Sequence, residues 1–316
     1  MKNVPKSHHY VTRAYMKRFS NDIVHVYALF KNNNKKIVIP NMPTGVENLC
    51  AETDFYTVLD ECGMKNTNVE SILASYEDSL KEVFNLIRPN LIYPYCDGGV
   101  FLNGRENIRM IDAVAVQFVR GKFVRKTGLA IIDRHFDDLF EETRIKLKGK
   151  KNAASELEYL KRNRELIKQN ALAEGPLVEM FINWQESLLR KSVQNRKCHL
   201  VVNMTDIDFV SSDEPVLICK EIKDDGIIRW SAISDPDSCI YYPLDSKHLI
   251  MLGPLENYTG TAGTASTIKT LGTGCERMVL GMNVAQFVQC DRTLISQKRE
   301  TLERIADIAT LKYGYR

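Results

Sequence analysis

The sequence predicts an α+β fold, with a helical middle region packed against a mostly antiparallel sheet formed by an N-terminal hairpin and C-terminal strands. Strand-like and helix-like segments are segregated along the chain instead of alternating, which disfavours a doubly wound architecture. Apolar residues recur at helical spacing through much of the stretch from 68 to 192. After Cys198 the pattern becomes short runs rich in β-branched and aromatic residues. Residues 1–316 are expected to form a single domain in which 105–195 is a helical insert or subdomain.

Taken in order, Val11, Tyr15 and Phe19 recur every four residues and predict a short helix near 11–19. Either Ser7 or Thr12 caps it; the second choice leaves His8 and His9 ahead of the helix. Ile23–Phe30 and Lys36–Pro40 read as two strands joined through Asn32-Asn33-Asn34, which is turn material. Phe55–Leu59 is a candidate third strand. Asn68–Ile87 carries an amphipathic helical pattern that Pro89 ends, and 91–103 is a connection. A long helical stretch over about 105–147 is broken near Gly121 or Gly128, and Ser155–Ala173 and Leu177–Ser192 follow as helices. The expected strands beyond are Leu200–Val202, Pro215–Cys219, Ile227–Ser231, Cys239–Tyr242 and Leu249–Leu252. Tyr258–Thr267 reads as a loop, Glu276–Gln289 as a helix, Thr293–Ser296 as a strand and Gln297–Leu311 as a closing helix.

Composition narrows the functional classes. The chain is 44% hydrophobic and 26% charged, an ordinary globular balance. Its net charge of +3 is too small to imply nucleic-acid binding by itself, although a local basic patch could still act. No apolar run approaches the roughly 18–20 residues that span a bilayer, and no secretory core opens the chain, so no membrane partner and a cytoplasmic location are expected. Eight cysteines are scattered without a Cys-x-x-Cys pair, which argues against a structural zinc site and for reduced, buried thiols.

Chemistry-bearing residues concentrate in a few places. Ser7–Phe19 sets His8 and His9, two of six histidines, beside Arg13, Lys17 and Arg18, with no acidic residue before Asp22. Adjacent imidazoles in local positive charge suit an anionic ligand or acid/base work near neutral pH. The competing expectation is that one imidazole packs while the other is solvated. Ser211-Ser212-Asp213-Glu214-Pro215 displays polar groups at the end of an apolar strand, where local turn bonding is the default. Gln117 and Arg120, three apart, share a face of the long helix. Glu70 and Glu77 lie roughly on one face of theirs, where two solvated glutamates are the default.

The run His8-His9-Tyr10-Val11-x-Arg13-x-Tyr15-x-x-x-Phe19-Ser20 resembles the signature of a mostly bacterial family, domain of unknown function 4238. Its members typically open His-His-Tyr-Val-Pro before an aromatic- and Arg-rich helix. Further marks over nearly the whole chain look matched: Phe55-Tyr56, Glu70, Gln117 with Arg120, Ser212-Asp213-x-Pro215, Tyr242-Pro243-Leu244 and Asn283. Thr12 stands where the family usually has Pro, and Glu214 where it often has Asn. The resemblance brings no established reaction. It implies a shared site, because the distinctive residues are polar: His8, His9, Arg120, Asp213 and Asn283.

The combined expectation is an enzyme acting on a phosphate-containing substrate, a nucleic acid or nucleotide, as a hydrolase or nuclease; a toxin or phage-defence effector is a natural setting. His8 and His9 would supply acid/base groups and Arg120 would stabilise developing negative charge. Asp213 would orient an imidazole or bind a divalent metal, which leaves a metal cofactor open. Arg13, Glu70, Gln117, Ser212 and Asn283 would bind or position the substrate. The alternatives are a non-enzymatic anion- or partner-binding sensor and a purely structural hydrogen-bond network. Oligomeric state stays open.

Overall fold

A computed structural model describes residues 7–59, 62, 64–66, 73, 76–78, 80–82, 84–85, 97–148, 150, 153–171, 192–255 and 266–316. The fold is α+β, with a helical middle region. The N-terminal part holds β1 (Ser7–His9), α1 (Arg13–Met16), β2 (His25–Lys31), β3 (Ile37–Val38), β4 (Thr44–Gly45), β5 (Ala51–Thr53), β6 (Val58–Leu59) and β7 (Lys65–Asn66). The helices α2 (Gly104–Arg120), α3 (Lys122–Leu147) and α4 (Ala153–Arg162) follow. The C-terminal part holds β8 (Arg196–Asn203), β9 (Ser211–Ser212), β10 (Leu217–Lys220), β11 (Ser238–Pro243), β12 (His248–Leu255), β13 (Thr267–Leu271), α5 (Glu276–Gln289), β14 (Thr293–Ser296) and α6 (Arg299–Tyr313).

One five-stranded sheet has the order β10-β11-β12-β8-β13, antiparallel except where β13 runs parallel to β8. The other has the order β3-β2-β14-β9, with β4 also paired to β2. Strand β14 lies between the N-terminal hairpin and β9, so the two ends of the chain share this sheet. Two ribbons, β1-β5 and β6-β7, complete the strand pairing.

Period-two alternation sorts the side chains of the first sheet onto its two faces. Leu200, Val202, Ile240, Tyr242, Ile250 and Leu252 face a cluster that includes Val11, Tyr15, Met16 and Phe19 and the apolar side of α2. Their neighbours Val201, Cys239, Tyr241, Leu249 and Met251 pack instead with Val279, Met282 and Ala285 of α5. A third cluster joins Leu29 and Leu294 to Leu302, Ile305 and Ala309 of α6. Both faces of the first sheet are therefore covered, which is why β11 is buried throughout.

Several expected elements meet the structure with shifted bounds. The long helix breaks at Gly121, while Gly128 continues α3. Asn103 and Glu106 start α2 with a reciprocal capping box, which satisfies backbone donors at that end. Thr12 is the cap of α1, and its side chain accepts the Tyr15 amide. His8 and His9 consequently lie in a strand ahead of a four-residue helix. Phe55 and Tyr56 form a turn before β6, and Ile227–Ser231 contributes only a bridge from Trp230 to Cys219. The strands β1, β5 and β13 were not anticipated by the periodicity; the first two are only three residues long. The predicted helix at Leu177–Ser192, apart from Ser192, and most of the 258–267 loop lie outside the described residues, as does Glu70.

Candidate functional site

The N-terminal segment is gripped by its backbone. Gln117 Nε2 donates to the Tyr10 carbonyl at 3.0 Å, and Arg120 Nη2 donates to the His9 carbonyl at 2.6 Å. The three-residue spacing on α2 thus matches two consecutive carbonyls. On the other side, the ribbon register sets His8 opposite Glu52 and His9 opposite Ala51. Further along, the Tyr15 hydroxyl donates to the Pro243 carbonyl and meets Ser211 Oγ, each at 2.6 Å. Arg18 Nε donates to the Leu244 carbonyl at 2.9 Å. These bonds explain physically why Gln117, Arg120 and Tyr242-Pro243-Leu244 accompany the histidine motif.

The segment forms one wall of a cleft of about 620 Å³, within the size range of small-ligand sites. His8, His9, Arg13, Lys17, Tyr56, Glu77, Lys81 and Arg120 contribute to its lining. His8 is buried; its Nδ1 accepts the Tyr56 amide at 2.9 Å, and its ring stacks on Tyr56 with centroids 5.9 Å apart. That acceptor role places the neutral ring's proton on Nε2.

His9 is half-buried, and burial, with Arg13 close by, lowers its pKa below the usual 6.5. A backbone hydrogen bond to Glu47 opposes that shift. Its Nε2 is buried and has no hydrogen-bond partner among the described residues. Arg13 and Lys17 are exposed, and neither side chain has a partner among the described residues.

Arg120 is nearly fully buried and committed to protein partners. Besides the His9 carbonyl, Nη1 pairs with Glu77 Oε1 at 2.8 Å and Nε donates to the Tyr56 hydroxyl at 3.3 Å. It is a positioning residue for β1, and Glu77 is the carboxylate that holds it. The sequence pattern set Glu77 with Glu70 on one predicted helix, but the solvated-glutamate expectation hid its role. Tyr56 was visible only as half of an aromatic pair.

The expectation that Asp213 joins the histidines is corrected. Asp213 is fully buried, and its carboxylate accepts the amides of Asp291, Arg292 and Thr293 at 2.9, 2.8 and 3.0 Å. Ser212 Oγ donates to Gln286 Oε1 at 2.7 Å and accepts the Glu214 amide. Asn283 accepts the Val210 amide and donates to the Asp208 carbonyl, pinning α5 to the chain before β9. None of the three lines the cleft. Their polar side chains satisfy buried backbone groups where loops and helix ends meet, work that leaves no free atom for a ligand.

Glu214 works at the same junction. It accepts the Phe123 amide at 2.7 Å, and so caps α3, which has no cap of its own. A Cβ on Gly121 would overlap this carboxylate, which explains the glycine at the helix break. Burial raises the Glu214 pKa to about 7 and that of Asp213 to about 6, against their amide bonds. Between the ordinary glutamate value of 4.5 and about 7, folded Glu214 retains a proton that the unfolded chain has released. Its contribution to stability therefore falls as pH rises through that window and is level above it. The Glu214→Gln variant is expected to narrow the difference in unfolding free energy between pH 5 and pH 8, by at most about 3 kcal/mol in urea titrations.

Among the described residues, no three His, Cys, Asp or Glu side chains gather to hold a metal ion. No helix among them is long and apolar enough to cross a membrane. The sequence profile of a family described as protein of unknown function (DUF4238) matches residues 7–300. Neither the curated proteins nor the solved structures include a match.

Proposed function

The chain belongs to the DUF4238 family, and from its cleft we propose that it is a hydrolase for a phosphate-containing substrate, a nucleic acid or nucleotide, with His9 as general base. The observation that carries this reading is a cleft lined by His9, whose Nε2 has no hydrogen-bond partner among the described residues, and by Arg13 and Lys17, whose side chains have none among them either. A neutral imidazole accepts the proton of an attacking hydroxyl, while nearby cations offset the charge that grows on phosphate oxygens. Arg120 and Glu77 keep β1 in place for this chemistry.

The test incubates wild type and His9→Ala with RNA, DNA and nucleotides, with and without magnesium or manganese. Wild type is expected to turn over at least one of them and His9→Ala to be inactive while remaining folded. Because Arg13 and Lys17 are exposed, Arg13→Ala and Lys17→Ala should fold normally. Each is expected to weaken substrate binding about tenfold, seen as a raised KM, through loss of a charged contact to phosphate.

A second reading, an anion-binding sensor module, is favoured by one observation. Arg120, the buried guanidinium best suited to stabilise a transition state, is already bonded to Glu77, Tyr56 and the His9 carbonyl. Binding across the panel without turnover would establish that reading in place of the enzyme.

A further inference from the structure

We infer that a second cleft, between α5 and α6, binds a small amphiphile: an aliphatic chain ended by a carboxylate. This cleft shares no residue with the one beside His9, and the inference does not rest on the hydrolase reading.

The helix α5 is apolar on every side. Val279, Met282 and Ala285 pack with the first sheet, and Phe287 joins the third cluster. Leu280, Val284 and Val288, four residues apart, form a further apolar face. With Ile227, Trp230 and Ile308 they line a cleft of about 360 Å³, within the size range of small-ligand sites. A helix that is apolar all round is ordinarily covered. Here Ile227, Trp230 and Val288 stay 54%, 49% and 38% exposed, so this face is left open to water.

The cleft is held in shape by backbone. Gly226 has a φ of +66°, and a Cβ on it would sit 2.3 Å from the Arg277 carbonyl oxygen. A Cβ on Gly281 would sit 2.3 Å from the Gly226 carbonyl oxygen. The two glycines thus press the segment that carries Ile227 and Trp230 against α5. The α5 wall runs from Arg277 to Val288, about 16 Å at the rise of a helix. A narrow, elongated space with aliphatic walls suits an extended hydrocarbon chain.

Charge selects the head group. Arg277 and Lys312 line the cleft, and neither side chain has a hydrogen-bond or ion-pair partner among the described residues. Lys312 Nζ lies 5.7 Å from the centre of the Tyr313 ring. Asp225 is the one carboxylate among the described lining residues. It is already engaged, accepting the Ile227 amide at 2.9 Å and Arg229 Nη2 at 3.4 Å. The cations are therefore left to an incoming anion, and charge-assisted bonds to its carboxylate would orient the chain.

The experiment titrates the full chain with decanoate, decanol and decylamine, each below its micelle concentration, by calorimetry. Saturable binding of decanoate is expected, at least about tenfold tighter than of decanol, with decylamine weakest. In Trp184→Phe protein, where Trp230 is the remaining indole, emission should shift to shorter wavelength as the chain displaces water. The double variant Arg277→Gln/Lys312→Gln changes exposed positions and should bind decanoate no better than decanol. Val288→Asp, also at an exposed position and checked by circular dichroism, should lose decanoate binding. Absence of saturable decanoate binding, equal affinity for decanoate and decylamine, or unchanged affinity in the double variant overturns the proposal. So does a Trp230 response to anionic phosphatidylglycerol vesicles without one to free decanoate, which would make this face a membrane contact.

Discussion

Replacing His9 by Gln is expected to lower turnover roughly 10²–10⁴-fold, the usual contribution of a general base, while the protein unfolds at nearly the same temperature. Gln keeps a polar side chain of similar reach but cannot accept a proton at neutral pH. The position is half-buried, and the segment is held chiefly through its backbone by Gln117 and Arg120, so the fold should tolerate the change. The pH profile gives an independent readout. The base works in its neutral form, and burial next to Arg13 lowers its pKa from 6.5. Turnover should therefore rise with pH, reach half-maximum below 6.5 and be level above neutrality. That acidic limb should vanish in His9→Gln. A variant with full activity and an unchanged limb would remove His9 from the chemistry.

Asp213→Ala is expected to destabilise the chain by about 3–5 kcal/mol, because three amides, two part-buried and that of Thr293 buried, lose their common acceptor in one change. Asp213→Asn, which keeps one acceptor oxygen, should lose about half as much. Urea titration measures both. The protein that remains folded should bind ligand in the cleft as wild type does, since Asp213 does not line it. A stably folded Asp213→Ala protein without turnover would return this carboxylate to the catalytic group and contradict the structural assignment.

The comparison of Asp213 with His9 shows how far the sequence could be read. Both belong to polar motifs, and a family resemblance marks both. A motif reports that a residue type is needed at a position; it does not report whether the partner is a ligand or a backbone amide. Asp213 binds amides nearly 80 residues further along the chain, and no local pattern encodes that meeting. Gln117 and Arg120 were legible as sharing one face of a helix. That their targets are the carbonyls of Tyr10 and His9, more than 100 positions earlier, was not. Glu214 illustrates the same limit: it looked like an awkward second charge beside Asp213, whereas its partner is the open end of α3.

By itself the sequence determined what depends on local periodicity and near-neighbour chemistry. It set the α+β class, the Thr12 cap as one of two choices, the helix break at one of two glycines, the bounds of α5 and β14, and a histidine pair followed by the cations in and just after α1. The tertiary structure alone decided which polar residues share a cleft and which serve the core. That division turns on where distant carbonyls and amides are left unsatisfied as sheets and helices close over them, and only the assembled chain brings those groups within hydrogen-bond reach.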